Sequence, residues 1–168
     1  MPKATTQSVA EAVPFSSDEL RRVASSMTIL SRAFTLSRPH ELLLQEAGVR
    51  LDRAGSALLF KLRAHGEPAR VSDLAELLGV DTPSVTRKVQ QLERLGYVTI
   101  EPDTDDKRAK RVSLTKSGEK TIERIMVAVN QRLARLFEGW TREEVSVFSS
   151  SLDKFAHALT NEMEKERD

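Results

Sequence analysis

Residues 71–118 read VSDLAELLGVDTPSVTRKVQQLERLGYVTIEPDTDDKRAKRVSLTKSG. Two short apolar-periodic segments meet at Gly79, and Gly96 separates them from two β-rich runs around a charged tip. The order is helix, glycine turn, helix, glycine, two-stranded wing. The first helix is expected to bury Leu74, Leu77 and Leu78, with Ser72 as its cap. Gly79 then supplies the turn. Thr82 is expected to cap the second helix and Pro83 to take its first position, where a missing N–H costs nothing. Val85, Val89 and Leu92, spaced four and three, make one buried stripe of that helix. Residues 97–101 and 111–115 are strand formers, alternating enough to pair as a hairpin. Arg70 and Val71 suggest a further, very short strand.

The face of the second helix opposite its apolar stripe holds Pro83, Ser84, Arg87, Gln90, Gln91 and Arg94. None is a carboxylate, and Glu93 falls to the side. Such a face suits a DNA major groove: Arg can pair with guanine bidentately, Gln with adenine, and Ser or Thr with a base edge or phosphate. The first backbone N–H groups of the helix also suit a phosphate. At the wing tip Asp103, Asp105 and Asp106 lead, and Lys107, Arg108, Lys110 and Arg111 trail. An arginine on such a loop can enter a narrow minor groove, where the potential is strongly negative. Asp106 is placed to orient Arg108 by an ion pair. The alternating aspartates lack the glycine and distal glutamate of a calcium loop. A charged hairpin tip is also what a solvated loop looks like, so a winged-helix protein-interaction module without DNA binding stands as the alternative.

Outside this segment the chain is helical in pattern. Ser16, Ser17 and Asp18 offer caps for a first helix with a heptad-like seam of Leu20, Val23, Met27, Leu30 and Phe34. Pro39 is expected to close it, and the stretch around Gly48 to connect it onward. Asp52 caps an apolar helix that ends at His65 and Gly66. A long helix from 115 to 137 carries Ile122, Met126, Val129, Leu133 and Leu136. After Gly139, Thr141 and Glu144 form a capping box for a last helix with Val145, Phe148, Leu152, Phe155 and Leu159 on one seam. The expected organisation is an N-terminal arm (1–14), an N-terminal dimerisation helix (15–40), a winged helix-turn-helix domain (50–118) and C-terminal dimerisation helices (119–168). The fold class is mainly α with a small β-wing.

The totals exclude several alternatives. The chain has 168 residues, 39% hydrophobic and 30% charged, with a formal net charge of +1. Lys and Arg balance Asp and Glu even over residues 70–115, so segregation of charge, not its sum, carries the DNA reading. The absence of cysteine excludes disulfides, zinc-thiolate sites and thiol-based peroxide sensing. His40, His65 and His157 are too scattered for a metal site. No apolar run reaches the ~18 residues of a membrane span, and the N-terminus lacks the apolar core of a signal peptide, so a cytoplasmic protein is expected. With no glycine-rich phosphate loop and no nucleophile elbow, no enzyme and no cofactor are expected. Trp140 is expected to pack at the base of a dimer.

The same residues resemble the multiple-antibiotic-resistance regulator (MarR) family. The resemblance lies in Leu74-Ala75 in the first helix, Ser84, Thr86 and Arg87 in the recognition helix, and Leu92-Glu93 before Gly96. It continues through Asp106-Lys107-Arg108 at the wing and Leu114-Thr115-Lys116-Ser117-Gly118 after it. Lys107 stands where arginine is common, which keeps a cation but loses its planar fork. The resemblance implies a homodimer built from interlocked N- and C-terminal helices. It implies two recognition helices in successive major grooves of a pseudo-palindromic operator, with wings in the flanking minor grooves. It also implies a small-molecule effector, often an anionic aromatic, bound between the dimer and DNA-binding regions, and a repressor released by it. No pocket residue follows from the sequence.

Overall fold

Val85, Val89 and Leu92 are buried to 2% exposure or less, as their spacing requires. They sit in a computed structural model that describes residues 15–35, 37–66, 68–103 and 109–165, without the side chains of Phe34 and Ser37. The elements are α1 (Ser17–Thr35), α2 (Ser37–Glu46), α3 (Arg53–His65), β1 (Ala69–Arg70), α4 (Val71–Leu78), α5 (Thr82–Arg94), β2 (Val98–Pro102), β3 (Lys110–Leu114), α6 (Lys116–Leu136) and α7 (Arg142–Lys165). The sheet is antiparallel in the order β1-β3-β2, so the hairpin of β2 and β3 is extended by the short strand that leads into α4. The expected residues 1–14 arm lies outside the described residues.

The main core joins α3, α4, α5 and the sheet. Leu58, Leu59 and Leu62 of α3 meet Leu74 and Ala75 of α4, the α5 stripe, Val98 and Val112 of the sheet, and Ile122 of α6. A second cluster of Leu44, Ala47, Val49, Ile125 and Ala128 binds α2 to α6, and Leu51 and Phe60 pack against both clusters. Polar clips lie beside it: Arg124 donates to the Gly48 carbonyl, Arg132 to the Pro39 carbonyl, and Arg135 pairs with Glu46. His40 lies nearby, its Nε2 2.9 Å from the Ser56 hydroxyl. Burial, aided by the Arg53 charge, holds this imidazole below its usual pKa.

Several local expectations are corrected. Pro39 opens a helix instead of closing one: it lies in the first turn of α2, where the N–H it lacks would have no intrahelical acceptor. Ser72 lies inside α4, whose cap position belongs to Arg70 without a side-chain bond, and the strand precedes it as Ala69–Arg70. Asp81, not Thr82, caps α5, which moves Pro83 one position inward. Leu77 is 42% exposed, because Leu74 and Ala75 carry the buried side of α4. On α6 the buried line is Ile122, Ile125 and Ala128, while Met126, Leu133 and Leu136 face outward. The heptad stripe thus starts in the core at Ile122 and runs onto an uncovered face through Met126, Leu133 and Leu136.

Other caps fall where the sequence puts them. Ser16 and Glu19 close a capping box on α1, Asp52 accepts from the Gly55 N–H at 2.8 Å, and Thr141 and Glu144 close a second box on α7. Gly79 adopts the left-handed conformation (φ 63°) that ends α4. Phe137, Trp140 and Phe148 stack edge to face, with centroids 5.3–5.8 Å apart, and so brace the turn from α6 to α7. Trp140 is therefore one of three rings in a local brace and remains 46% exposed.

The junction of wing and α6 depends on one small residue. The Thr115 hydroxyl donates to the Gly96 carbonyl and accepts from the Gly118 N–H, and the Thr115 N–H donates to the Tyr97 carbonyl. A Cβ at Gly118 would run into that Tyr97 carbonyl. Gly118→Ala should therefore destabilise the chain by about 1–3 kcal/mol through overpacking, where helix propensity alone would give a gain of about 1 kcal/mol. Urea denaturation of the variant checks the sign.

Candidate nucleic-acid interface

The outer face of α5 is held by two polar anchors at its flank. Asp81 accepts the Ser84 N–H at 2.9 Å on one carboxylate oxygen and the Ser84 hydroxyl at 2.7 Å on the other. These two bonds, the hydroxyl's first, keep the Asp81 carboxyl below its usual pKa, so it stays charged. The Ser84 oxygen in turn accepts from the Arg87 guanidinium at 3.3 Å. The second anchor crosses between helices. Lys88 Nζ lies 2.5 Å from the free oxygen of Asp52 and donates to Gln91 Oε1 at 2.9 Å. Burial works against the Asp52 charge, but the bonds from Lys88 and Gly55 outweigh it and lower its pKa.

Pro83, Arg87, Gln90, Gln91 and Arg94 are all exposed on this face, and Ser84 and Thr86 are half-buried. The Thr86 hydroxyl donates to the Thr82 carbonyl at 2.9 Å, so its proton is used within the helix. Lys110 is exposed at the foot of the wing. It borders a shallow groove with Gln90 and Glu93 on one side and another with Thr82, Thr86, Arg70 and Ser72 on the other. Asp106, Lys107 and Arg108 lie outside the described residues.

At the wing base, Asp103 stands apart from the other charges of the tip with which its sequence position groups it. The Asp103 side chain is wholly buried. It accepts from Arg70 at 2.9 and 3.2 Å and from Arg111 at 2.7 Å. Arg70 and Arg111 are direct cross-strand partners in the β1–β3 register. Two like charges so placed would repel, and the carboxylate between them turns the repulsion into a bridge. The Asp103 N–H also donates to the Ala109 carbonyl at 3.0 Å, closing the neck of the loop. Arg111 is thus a structural cation and not part of a free basic tip. Only the register reveals this, since Arg70 and Asp103 stand 33 positions apart.

This arrangement is a winged helix-turn-helix. Residues 55–110 match the MarR family. Solved structures agree on the fold. A MarR family protein from Bacillus stearothermophilus superposes with a TM-score of 0.71 at 24% identity, covering 83% of this chain and 96% of the other. The YusO protein from Bacillus subtilis gives 0.64 at 26% identity, with 86% and 99% covered. A variant of S. aureus MepR bound to an oligodeoxyribonucleotide gives 0.55 at 23%, again with 86% and 99% covered. Among the described residues no helix is long and apolar enough to cross a membrane, and no cluster of three His, Asp or Glu could hold a metal ion.

Asp103→Asn should destabilise the chain by about 2–3 kcal/mol, below the cost of a wholly buried pair because both arginines are partly exposed. Thermal or urea unfolding measures it. An unchanged stability would mean that water, not Asp103, compensates the two guanidinium groups.

Proposed function

We propose that the chain binds a pseudo-palindromic DNA operator as a homodimer, reads it with the outer face of α5, and represses until a small molecule releases it. The observation that carries the reading is the face of α5 itself. Its apolar stripe is locked into the core, and what remains outside is Arg87, Gln90, Gln91 and Arg94, without a carboxylate on the outermost positions. Arg87 is the first candidate for base readout, with Arg94 and Lys110 as phosphate contacts and Lys107 and Arg108 as minor-groove contacts.

The dimer is supported by apolar faces that the chain leaves uncovered. Leu20, Val23, Met27 and Leu30 lie in one stripe of α1, each 37–48% exposed. Phe148, Leu152, Phe155 and Leu159 make another on α7, each 40–48% exposed, and α7 buries none of its residues. Contiguous apolar stripes of this kind mark a contact surface. A two-fold partner covering both stripes would set two α5 helices toward half-sites about 34 Å apart. MepR, the neighbour bound to an oligodeoxyribonucleotide, shares this fold and supports the DNA part of the reading. The effector, an anionic aromatic lodged between dimer helices and DNA-binding domain, follows from the family resemblance.

Selection from a random duplex pool at near-physiological salt should recover a palindrome with half-sites one turn apart. On that duplex Arg87→Ala should cost about 1–3 kcal/mol and relax the preference at one base pair of each half-site. An unchanged affinity and preference removes Arg87 from the readout. Phe148 also stacks on Phe137 and Trp140, so the dimer is better tested at Phe155. Phe155→Glu should give a folded monomer in sedimentation, and an intact dimer would place that stripe inside one chain.

A further inference from the structure

The notch between α3 and α5 fixes how one reading side chain is turned. Lys88 carries an ammonium, which only donates, so the group of Gln91 facing it at 2.9 Å must be the carboxamide oxygen. The same ammonium is held by Asp52, whose other oxygen caps α3 through the Gly55 N–H. Asp52 is therefore fixed by the helix it caps, Lys88 by Asp52, and Gln91 by Lys88. Lys88 is the more enclosed end of the ion pair, with its side chain 20% exposed.

Resting on the operator reading above, we infer that Lys88 and Asp52 are specificity-determining positioning residues that hold the Gln91 carboxamide oxygen at Lys88, so that Gln91 meets its base chiefly as a hydrogen-bond donor and disfavours adenine there. Adenine presents an acceptor and a donor in the major groove, N7 and N6, and a glutamine reads both only when its oxygen and its nitrogen are available. With Oε1 held at the Lys88 ammonium and one of its two lone pairs used there, the N–H groups are the part of Gln91 free to turn to a base. Those fit the paired acceptors of guanine, N7 and O6, or the thymine O4. Arg87, one turn earlier, is donor-only by chemistry. Arg87 and Gln91 thus present donors along one flank of α5, while Ser84, with its proton spent on Asp81, accepts from Arg87. Gln90, on the other side, makes no side-chain hydrogen bond of this kind among the described residues, so it keeps both its donor and its acceptor and serves as an internal control.

The test is selection and sequencing from a random duplex pool with the wild-type chain, Gln91→Ala and Lys88→Met, each checked for folding by its thermal transition. The base pair whose preference collapses in Gln91→Ala is the one Gln91 reads. The wild type should favour guanine or thymine there and disfavour adenine by about tenfold. Lys88→Met frees the carboxamide oxygen and should raise adenine at that pair by at least about fivefold, with other positions unchanged. Asp52→Asn, which keeps a good cap for α3 but loosens Lys88, should shift the same pair in the same direction by less, and it decides the matter if Lys88→Met fails to fold. Adenine preferred by the wild type, a Gln91→Ala preference like the wild type's, or variants at Lys88 and Asp52 that leave the pair unchanged would each overturn the inference while leaving the operator reading intact. A wild-type chain that selects no sequence at all overturns both.

Discussion

The burial of Val85, Val89 and Leu92 is the constraint on which the outer face of α5 depends. These three side chains meet Leu58, Leu59 and Leu62 of α3 in one core cluster. Rotating α5 by a single residue would drag Lys88 or Glu93 toward that core, at the desolvation cost of a charge. The helix has one stable orientation, and Arg87, Gln90, Gln91 and Arg94 are what it leaves outside. Gly55 belongs to the same constraint. A Cβ there would come within 3.0 Å of Asp52 Oδ1 and 3.5 Å of Leu92, so α3 approaches α5 closely where Asp52 meets Lys88.

The wing obeys a different rule. Its strands are short, and its outermost register pair with β1 is Arg70 against Arg111. Charge repulsion at that point would loosen the hairpin where it meets the helix-turn-helix. Asp103 resolves it by accepting from both guanidinium groups, and because Arg70 directly precedes α4, the bridge ties the wing to the first helix of the motif.

The winged helix-turn-helix was legible because its signals are local: glycines at turns, caps at spacing three, and an apolar stripe with a polar face opposite. Proline both ends helices and begins them, and only packing of α2 on α6 through Leu44, Ile125 and Ala128 selects the second role for Pro39. Asp81 and Thr82 are both good caps, and the choice between them moves α5 by one residue. Asp103 and Lys88 were invisible because their partners lie far along the chain, Asp52 being 36 positions before Lys88. Side-chain pairing across elements is a property of register and helix docking, which no local pattern encodes.

The apolar stripes of α1 and α7 and the outward face of α6 through Met126, Leu133 and Leu136 remain exposed in the single chain. Taken with the outer face of α5, they are the surfaces that the proposed dimer and its duplex would cover. Methylation interference at guanine N7 on a selected duplex tests that account most directly. It should show two clusters on one face of the DNA, about one helical turn apart, each weakened when Arg87 is replaced by alanine. A single cluster, or interference indifferent to Arg87, would contradict it.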